Sequence, residues 1–405
     1  MATQHGNNLT SIKEKNRALA LQLIATGQAV SRVELARKML LTKTTLGNIV
    51  SELIAKGIVS ESRLPEAEVE AETALGRRPI TLDLAPTSPL IAGMLIKRNI
   101  LSVILADLKG VVVDQADYEY ETIDAQSLTD RLLYLYDQLS DRQSRPIVAI
   151  GISSPGPVDT TRQMIMAPIN FWGIRNLPIS SIIQEKTGLP TFLIHDCSAG
   201  ALAEKIYGAR AGQLDNFLYL HIMNGIGAGY VLRGRVYGGD LGQSGEIGHM
   251  SINFGGPKCS CGNTGCLELY ANIHQMNAQI RSLQNSVKVP SILPVGKGFY
   301  RWREIMNAAA ASDFYALTAV ETFCDYLALA LRNVVNLLDI HTILMGYHAP
   351  ENSAILEDIL RAKLSESGTD PLPVAIERSS FGQNAPLIGS VAVVANKIFN
   401  GSLTI

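Results

Sequence analysis

The chain has no uninterrupted apolar run of eighteen residues, which excludes an obvious membrane-spanning helix. Its first residues, MATQHGNNLTSIKEK, lack the apolar core of a secretory signal. Cysteine is scarce: there are five, three of them in one short stretch, which is no disulfide framework. A large charge of one sign is also missing, because the formal net charge is −2. Hydrophobic residues make up 47% of the chain, enough for a sizeable core. What remains is a soluble globular protein of two to three domains in a reducing cytoplasm, with no membrane partner.

The near-neutral total hides an uneven distribution. Residues 1–60 carry eight cations (Lys13, Lys15, Arg17, Arg32, Arg37, Lys38, Lys43, Lys56) against three acids (Glu14, Glu34, Glu52), so this end is basic while the rest is acidic. Its periodicity predicts three helices. The first covers Ser11–Thr26, with Ile12, Leu19, Leu21, Leu23 and Ile24 turned inward, and stops at Gly27. Ser31 with Glu34 forms a capping box for the second, which runs to about Met39. Thr42 caps the third, Lys43–Lys56, whose inward positions are Leu46, Ile49, Val50, Leu53 and Ile54. Its outward first turn is Lys43, Thr44, Thr45 and Asn48. Helix, short turn, helix is a DNA-binding unit whose second helix meets base edges with its N-terminal residues. Lys43 and Asn48 can read bases or hold phosphates, and the threonines can do either. Ile58–Ser62 and Ile80–Leu84 read as the two strands of a wing. Between them the acidic run Glu66, Glu68, Glu70, Glu72 reads as a solvated loop, and Gly76-Arg77-Arg78-Pro79 as an extended cationic linker. Its Arg77 and Arg78 suit a narrow A·T minor groove.

The stretch Gly245–Glu268, GEIGHMSINFGGPKCSCGNTGCLE, places His249, Cys259, Cys261 and Cys266 within eighteen positions. Three thiolates and an imidazole make a closed tetrahedral set for a structural Zn²⁺. Gly255, Gly256, Gly262 and Gly265 let so short a loop fold around one ion.

From residue 89 the pattern turns α/β. Leu90–Ile96, Ile100–Asp107 and Val111–Glu119 read as three consecutive strands, Leu128–Leu139 as an amphipathic helix, and Ile147–Ser153 and Leu189–Ile194 as further strands. A helix follows from Ser198 to Tyr207, then a strand at Phe217–Met223 and a hairpin through Tyr237. Ile273–Gln284 and Tyr315–Leu338 are expected helices, and Leu387–Phe399, opened by Gly389, is the last.

G-E-x-G-H followed by C-x-C-G-x-x-G-C-x-E (Gly245, Glu246, Gly248, His249, Cys259, Cys261, Gly262, Gly265, Cys266, Glu268) resembles the signature of the ROK family of repressors, open reading frames and kinases. The GRRP segment after a wing resembles the linker of its regulators. The resemblance implies an α/β, two-lobed, actin-like (RNase H-like) sugar-kinase fold behind an N-terminal winged helix-turn-helix. It implies that Glu246, His249 and Glu268 touch a sugar, with His249 also on the metal. Asp196 matches the residue that acts as general base in the kinases; it can equally cap the following helix. His195 stands where Asn is usual in the kinases and resembles regulators of the xylose-repressor and N-acetylglucosamine-repressor type. Asn170 resembles a further sugar contact.

The phosphate-binding turns depart from the kinase pattern. In place of D-x-G-G-T the chain has Gly93-Met94-Leu95-Ile96-Lys97-Arg98-Asn99; in place of G-T-G-x-G it has Met223-Asn224-Gly225-Ile226-Gly227; in place of L-G-G it has Leu344-Met345-Gly346-Tyr347. The expected protein is therefore not an enzyme but a sugar-responsive repressor of carbohydrate genes. Its partners are double-stranded operator DNA, a monosaccharide or derivative, and a second copy of itself as homodimer or dimer of dimers. The alternatives are an ATP-dependent hexose or N-acylhexosamine kinase and a repressor governed by a partner protein. The expected organisation is a head at 1–62, wing and linker at 63–84, a smaller lobe at 85–195, a larger lobe at 196–385 with its zinc loop at 249–266, and a closing helix at 386–405 that packs back on the smaller lobe.

Overall fold

The computed structural model describes residues 9–63, 80–223, 225–350, 353–365 and 373–405. The expected linker arginines Arg77 and Arg78, and Asn224 of the second Gly-rich turn, lie outside the described residues.

The chain opens with α1 (Leu9–Ala25), α2 (Arg32–Met39) and α3 (Lys43–Ala55), then β1 (Val59–Arg63) and β2 (Ile80–Leu84), which pair antiparallel. Leu21, Ile24, Leu35, Leu46, Ile49, Val50 and Leu53 form the core of this head. At about 1.5–3 kcal/mol for each fully buried aliphatic side chain, they hold helices too short to be stable alone. Ile12 and Leu19 do not join it; both are exposed, and Ala18 and Ala20 take the close packing instead. Ser31 caps α2 by accepting the Glu34 N–H at 3.2 Å, but the Glu34 carboxylate reaches past Ser31 to the Val30 N–H at 2.8 Å. Leu40 ends α2 in a left-handed conformation, φ 53°, which makes the tight turn to α3.

Next come β3 (Leu90–Ile96), β4 (Ile100–Ala106), β5 (Val112–Glu119), α4 (Ala125–Ser140), β6 (Ile147–Ser154), β7 (Val158–Asp159), β8 (Met164–Ile165), α5 (Ile179–Thr187), β9 (Thr191–His195) and α6 (Asp196–Tyr207). The second half runs β10 (Phe217–Ile222), β11 (Ile226–Leu232), β12 (Arg235–Tyr237), α7 (Ile273–Ser286), α8 (Trp302–Ala310), α9 (Phe314–Leu338), β13 (Thr342–Gly346), α10 (Ile355–Ser365), β14 (Ala375–Arg378) and α11 (Ala385–Phe399).

Two compact units result. One comprises residues up to Ser153 with Pro178–Ile194 and Ser390–Ile405; the other comprises Ser154–Leu177 and His195–Gly389. The first unit has a five-stranded sheet in the order β5-β4-β3-β6-β9, the second one in the order β12-β11-β10-β13-β14. In each, three successive strands form an antiparallel meander and the next strand lies parallel to the first of them. This is a duplication in topology, the actin-like architecture, that no repeat of letters announces. All seven residues of β3 are buried.

Inside the first unit, a methyl placed on Gly93 would fall 2.3 Å from Ser390 Oγ, and one on Gly151 1.8 Å from the Ser390 carbonyl. Glycine here admits α11 to the sheet. Past that helix the chain runs along the head: Lys56 Nζ donates to the Ile405 carbonyl at 2.7 Å.

In the second unit the core gathers on α9, whose Phe323, Leu327 and Leu331 are buried. By length and composition α9 could cross a membrane, contrary to the expectation from uninterrupted runs, but it is the core helix against which α7, α8 and α10 pack. Gly389 does not open α11; it lies inside that helix, where a methyl would meet the Ala199 carbonyl at 2.1 Å.

Candidate functional site

The first candidate surface is the N-terminal turn of α3. Thr42 caps the helix by accepting the Thr45 N–H at 3.2 Å, and the two hydroxyls share a hydrogen bond at 2.9 Å. Leu46, Ile49 and Val50 face the core, which turns Lys43, Thr44, Thr45 and Asn48 outward, all exposed. Three of the four stand clear; Thr45 is partly engaged by the cap.

The remaining candidates sit in the second unit. The N-terminus of α6 packs against β11 through glycine: a methyl on Gly229 would fall 2.1 Å from the Cys197 carbonyl, and one on Gly227 2.4 Å from Cys197 Sγ. This seats His195 at the N-cap, with Asp196 as the first helical residue. Asp196 is therefore not the cap, and its carboxylate is available to the pocket. His195 is only 4% exposed. Its Nε2 lies 3.2 Å from Asp196 Oδ1 and 3.7 Å from Glu246 Oε1. Its Nδ1 is buried without a hydrogen-bond partner. Two carboxylates at one nitrogen favour the tautomer with the proton on Nε2, which leaves Nδ1 as a bare acceptor.

Glu246 is delivered by a turn that only glycine can make. Gly245 has φ 100°, its carbonyl accepts the Ala228 N–H at 2.7 Å, and a methyl on it would fall 1.8 Å from the Ala228 carbonyl. The third wall is Gly156, where a methyl would stand 2.5 Å from Glu246 Oε1 and 2.9 Å from His195 Nε2. Glu268 enters beside a short 3-10 turn, Ile247–His249: its Oε2 is 3.2 Å from a methyl placed on Gly248 and 3.0 Å from one on Gly225. Asn170 is exposed in a left-handed turn, φ 54°, and no contact joins it to His195, Asp196 or Glu246 among the described residues. Gly156 is a further member of this cluster, one to which the sequence alone assigns no role.

His249 ends the same 3-10 turn and turns its ring to the cysteines. Its Nδ1 lies 3.7 Å from Cys259 Sγ, and Cys261 Sγ lies 3.6 Å from Cys266 Sγ. All four ligand atoms lie within 4.8 Å of one another. A tetrahedron with metal–sulfur bonds of about 2.3 Å has sulfur–sulfur edges of about 3.8 Å, so the cage has the right size. Gly265, φ 64°, makes it possible: a methyl there would collide with the Asn253 carbonyl at 1.7 Å. Asn263 is more than the spacer it resembles in the sequence. Its Nδ2 donates to the His249 carbonyl at 3.0 Å and its own carbonyl accepts the Cys259 N–H at 2.9 Å. Burial opposes ionisation of Cys259, but hydrogen bonds from Cys261, His249 and Cys266 overcome it and bring its thiol down to about 7. Burial, with the thiols of Cys261 and Cys259, raises Cys266 to about 12. One thiolate is thus ready for a cation, and a cation would draw the proton from the other.

His195, Asp196 and Cys197 also bring donor atoms together. Burial, then Asp196 and Glu246, push the Cys197 thiol well above its ordinary range, so it stays protonated and is a poor ligand. At the third Gly-rich turn the residue after Gly346 is a core side chain. Tyr347 is 1% exposed and donates its hydroxyl to Glu357 Oε2 at 2.7 Å, and Arg378 Nε donates to Glu357 Oε1 at 2.8 Å.

Comparison with known proteins places the chain as a whole. The xylose repressor of Bacillus subtilis (strain 168) is 31% identical over 392 residues, spanning 95% of this chain and 96% of the relative. The crystal structure of a ROK family transcriptional regulator, a homologue of the E. coli MLC protein, superimposes with a TM-score of 0.80 at 28% identity, covering 96% of this chain and 97% of that one. A ROK family glucokinase from Streptomyces griseus, in complex with glucose and AMPPNP, shares the fold with a TM-score of 0.66 at 22% identity, but covers only 75% of this chain and 98% of its own. Residues 96–397 match the ROK family itself, and the chain belongs to that family.

Proposed function

We propose that this protein is a DNA-binding transcriptional repressor of carbohydrate genes, controlled by a monosaccharide or sugar derivative and devoid of kinase activity. The observation that carries the reading is the head: the exposed first turn of α3, with Lys43, Thr44 and Asn48 standing clear of a packed three-helix core. Similarity to the repressor relatives runs through it, whereas the glucokinase covers only 75% of the chain. In this reading α3 enters the major groove. Arg77 and Arg78 reach the adjacent minor groove, and two or four copies present paired heads to an operator in the cytoplasm.

The sugar would sit against His195, Asp196, Glu246 and Glu268, with Asn170 approaching on binding. Carboxylates accept the protons of sugar hydroxyls, and the Nε2–H of His195, which faces Asp196 and Glu246, orients them. The absence of kinase activity is read from the altered Gly-rich turns, where Met345 and Tyr347 flank Gly346 and Tyr347 is held by Glu357 and Arg378. His249, Cys259, Cys261 and Cys266 would hold Zn²⁺ in a closed, structural role, since four protein ligands leave no position for substrate. The effector acts through its different affinities for the DNA-competent and DNA-free states.

Fluorescence anisotropy on DNA from upstream of the gene, titrated with free and phosphorylated monosaccharides at fixed salt, tests this directly. A sugar that shifts operator affinity is the expected result. Specific binding that no sugar alters would transfer control to a protein partner, and sugar-dependent ATP turnover would sink the repressor reading.

A further inference from the structure

We infer that Arg32, the first residue of α2, is a DNA-phosphate contact pre-oriented by the wing and by the backbone of the recognition helix. This rests on the DNA-binding reading above and extends it to a residue outside α3. Arg32 Nε donates to Glu61 Oε1 of β1 at 2.6 Å, and its Nη1 donates to the Gly47 carbonyl of α3 at 3.2 Å. The guanidinium thus bridges the two elements that a winged helix-turn-helix lays against a duplex. Its side chain is 37% exposed, and its Nη2 edge has no partner among the described residues.

The guanidinium lies close over the helix at Gly47: a methyl at position 47 would lie 3.7 Å from Arg32 Nη1, an ordinary contact, one residue before the exposed Asn48.

Charge supplies the second half of the argument. Glu61 is an exposed carboxylate on the wing, and alone it would repel a phosphodiester. Arg32 neutralises it and still offers the outer edge of its planar fork, the geometry that suits a phosphate oxygen pair. Glu61 therefore acts as a holding group: it fixes the rotamer before DNA arrives, so less side-chain entropy is lost on binding.

The test is a salt titration of the full-length protein on a mixed-sequence duplex, read by anisotropy, for the wild type, Arg32→Gln, Arg32→Lys and Glu61→Gln. For Arg32→Gln we expect weaker binding and a slope of log affinity against log salt that is shallower by about one. Arg32→Lys should keep the slope while losing part of the affinity, and Glu61→Gln, which removes a holding group and a repelling charge together, should keep the wild-type slope. A wild-type slope in Arg32→Gln, whatever its affinity, would overturn the assignment and leave Arg32 as a strap between α2, α3 and β1. If Arg32→Gln fails to fold by circular dichroism, the double variant Arg32→Gln with Glu61→Gln, which leaves no unpaired charge, decides: a slope shallower by about one supports the contact and a wild-type slope overturns it. A wild-type protein that binds no duplex at all would instead remove the DNA-binding reading itself.

Discussion

Glu246 Oε1 lies 3.7 Å from His195 Nε2, and the same nitrogen is 3.2 Å from Asp196 Oδ1. One imidazole thus gathers two carboxylates from distant parts of the chain, with Gly156 closing the third side. Gly156→Ala should fill that space. We expect effector affinity to fall at least ~10-fold, equivalent to ~1.4 kcal/mol, while operator binding without effector is kept. Calorimetric titration of the effector beside anisotropy on DNA separates the two; equal effector affinity in the variant would show that the pocket lies elsewhere.

Metal removal gives a second expectation. Chelation, or Cys266→Ser, should lower the melting temperature and abolish effector binding, because the cage and Glu246 share one short turn. Elemental analysis should find one zinc per chain in the wild type and none in the variant. Acidification acts in a known direction. Cys259 sits at about 7, so lowering the pH through that value returns its proton and weakens metal binding, while raising it strengthens the site. An apparent zinc affinity, measured against a competing chelator, that does not rise with pH between mildly acidic and mildly alkaline conditions would contradict the thiolate assignment.

On the DNA side, Asn48 and Lys43 should behave differently. Asn48→Ala should cost about 1–3 kcal/mol at one base position if it makes a bidentate contact to adenine, visible as relaxed preference in a set of single-substituted operators. Lys43→Ala should weaken all sequences alike. Thr42→Ala should cost about 1 kcal/mol of head stability through the lost cap, read by urea unfolding.

The Glu357–Arg378 pair predicts a purely structural effect. The Glu357 side chain is 3% exposed, and Arg378→Ala would leave its charge buried. Breaking such a pair costs about 3–5 kcal/mol, and the exposed flank of Arg378 places the expected loss near the lower end. Equilibrium unfolding of Arg378→Ala and Glu357→Gln against wild type measures it. Neither change should restore nucleotide binding.

Much of this was legible in the letters because local chemistry dictates it. Thr42, the 3.6-residue period of Leu46, Ile49, Val50 and Leu53, and Gly57 bound α3 without help from the rest of the fold. The Cys₃His grouping is equally local. Properties that depend on contact across long separations could not be read. Nothing in the sequence around Gly156 shows that it abuts His195, and Gly389 looks like a helix start until Ala199 is seen pressing on it. Ile12 and Leu19 have the right period for burial, yet the alanines beside them allow closer approach. The duplicated sheet order survives only as topology, since pairing constrains strand order and burial but not residue identity.

The short turn Ile247–His249 ties two candidate sites together, with Glu246, the proposed sugar carboxylate, at one end and His249, which faces the cysteines, at the other. A regulator built in this way cannot change its ligand by drifting at Glu246–His249, because each substitution there also loosens the sulfur cage. New sugar preferences would then arise on walls that carry no second duty, and Gly156 is such a wall. On the proposed reading the same coupling would make metal supply a licence for sensing: a chain that folds without its ion would still present α3, but would be blind to its effector.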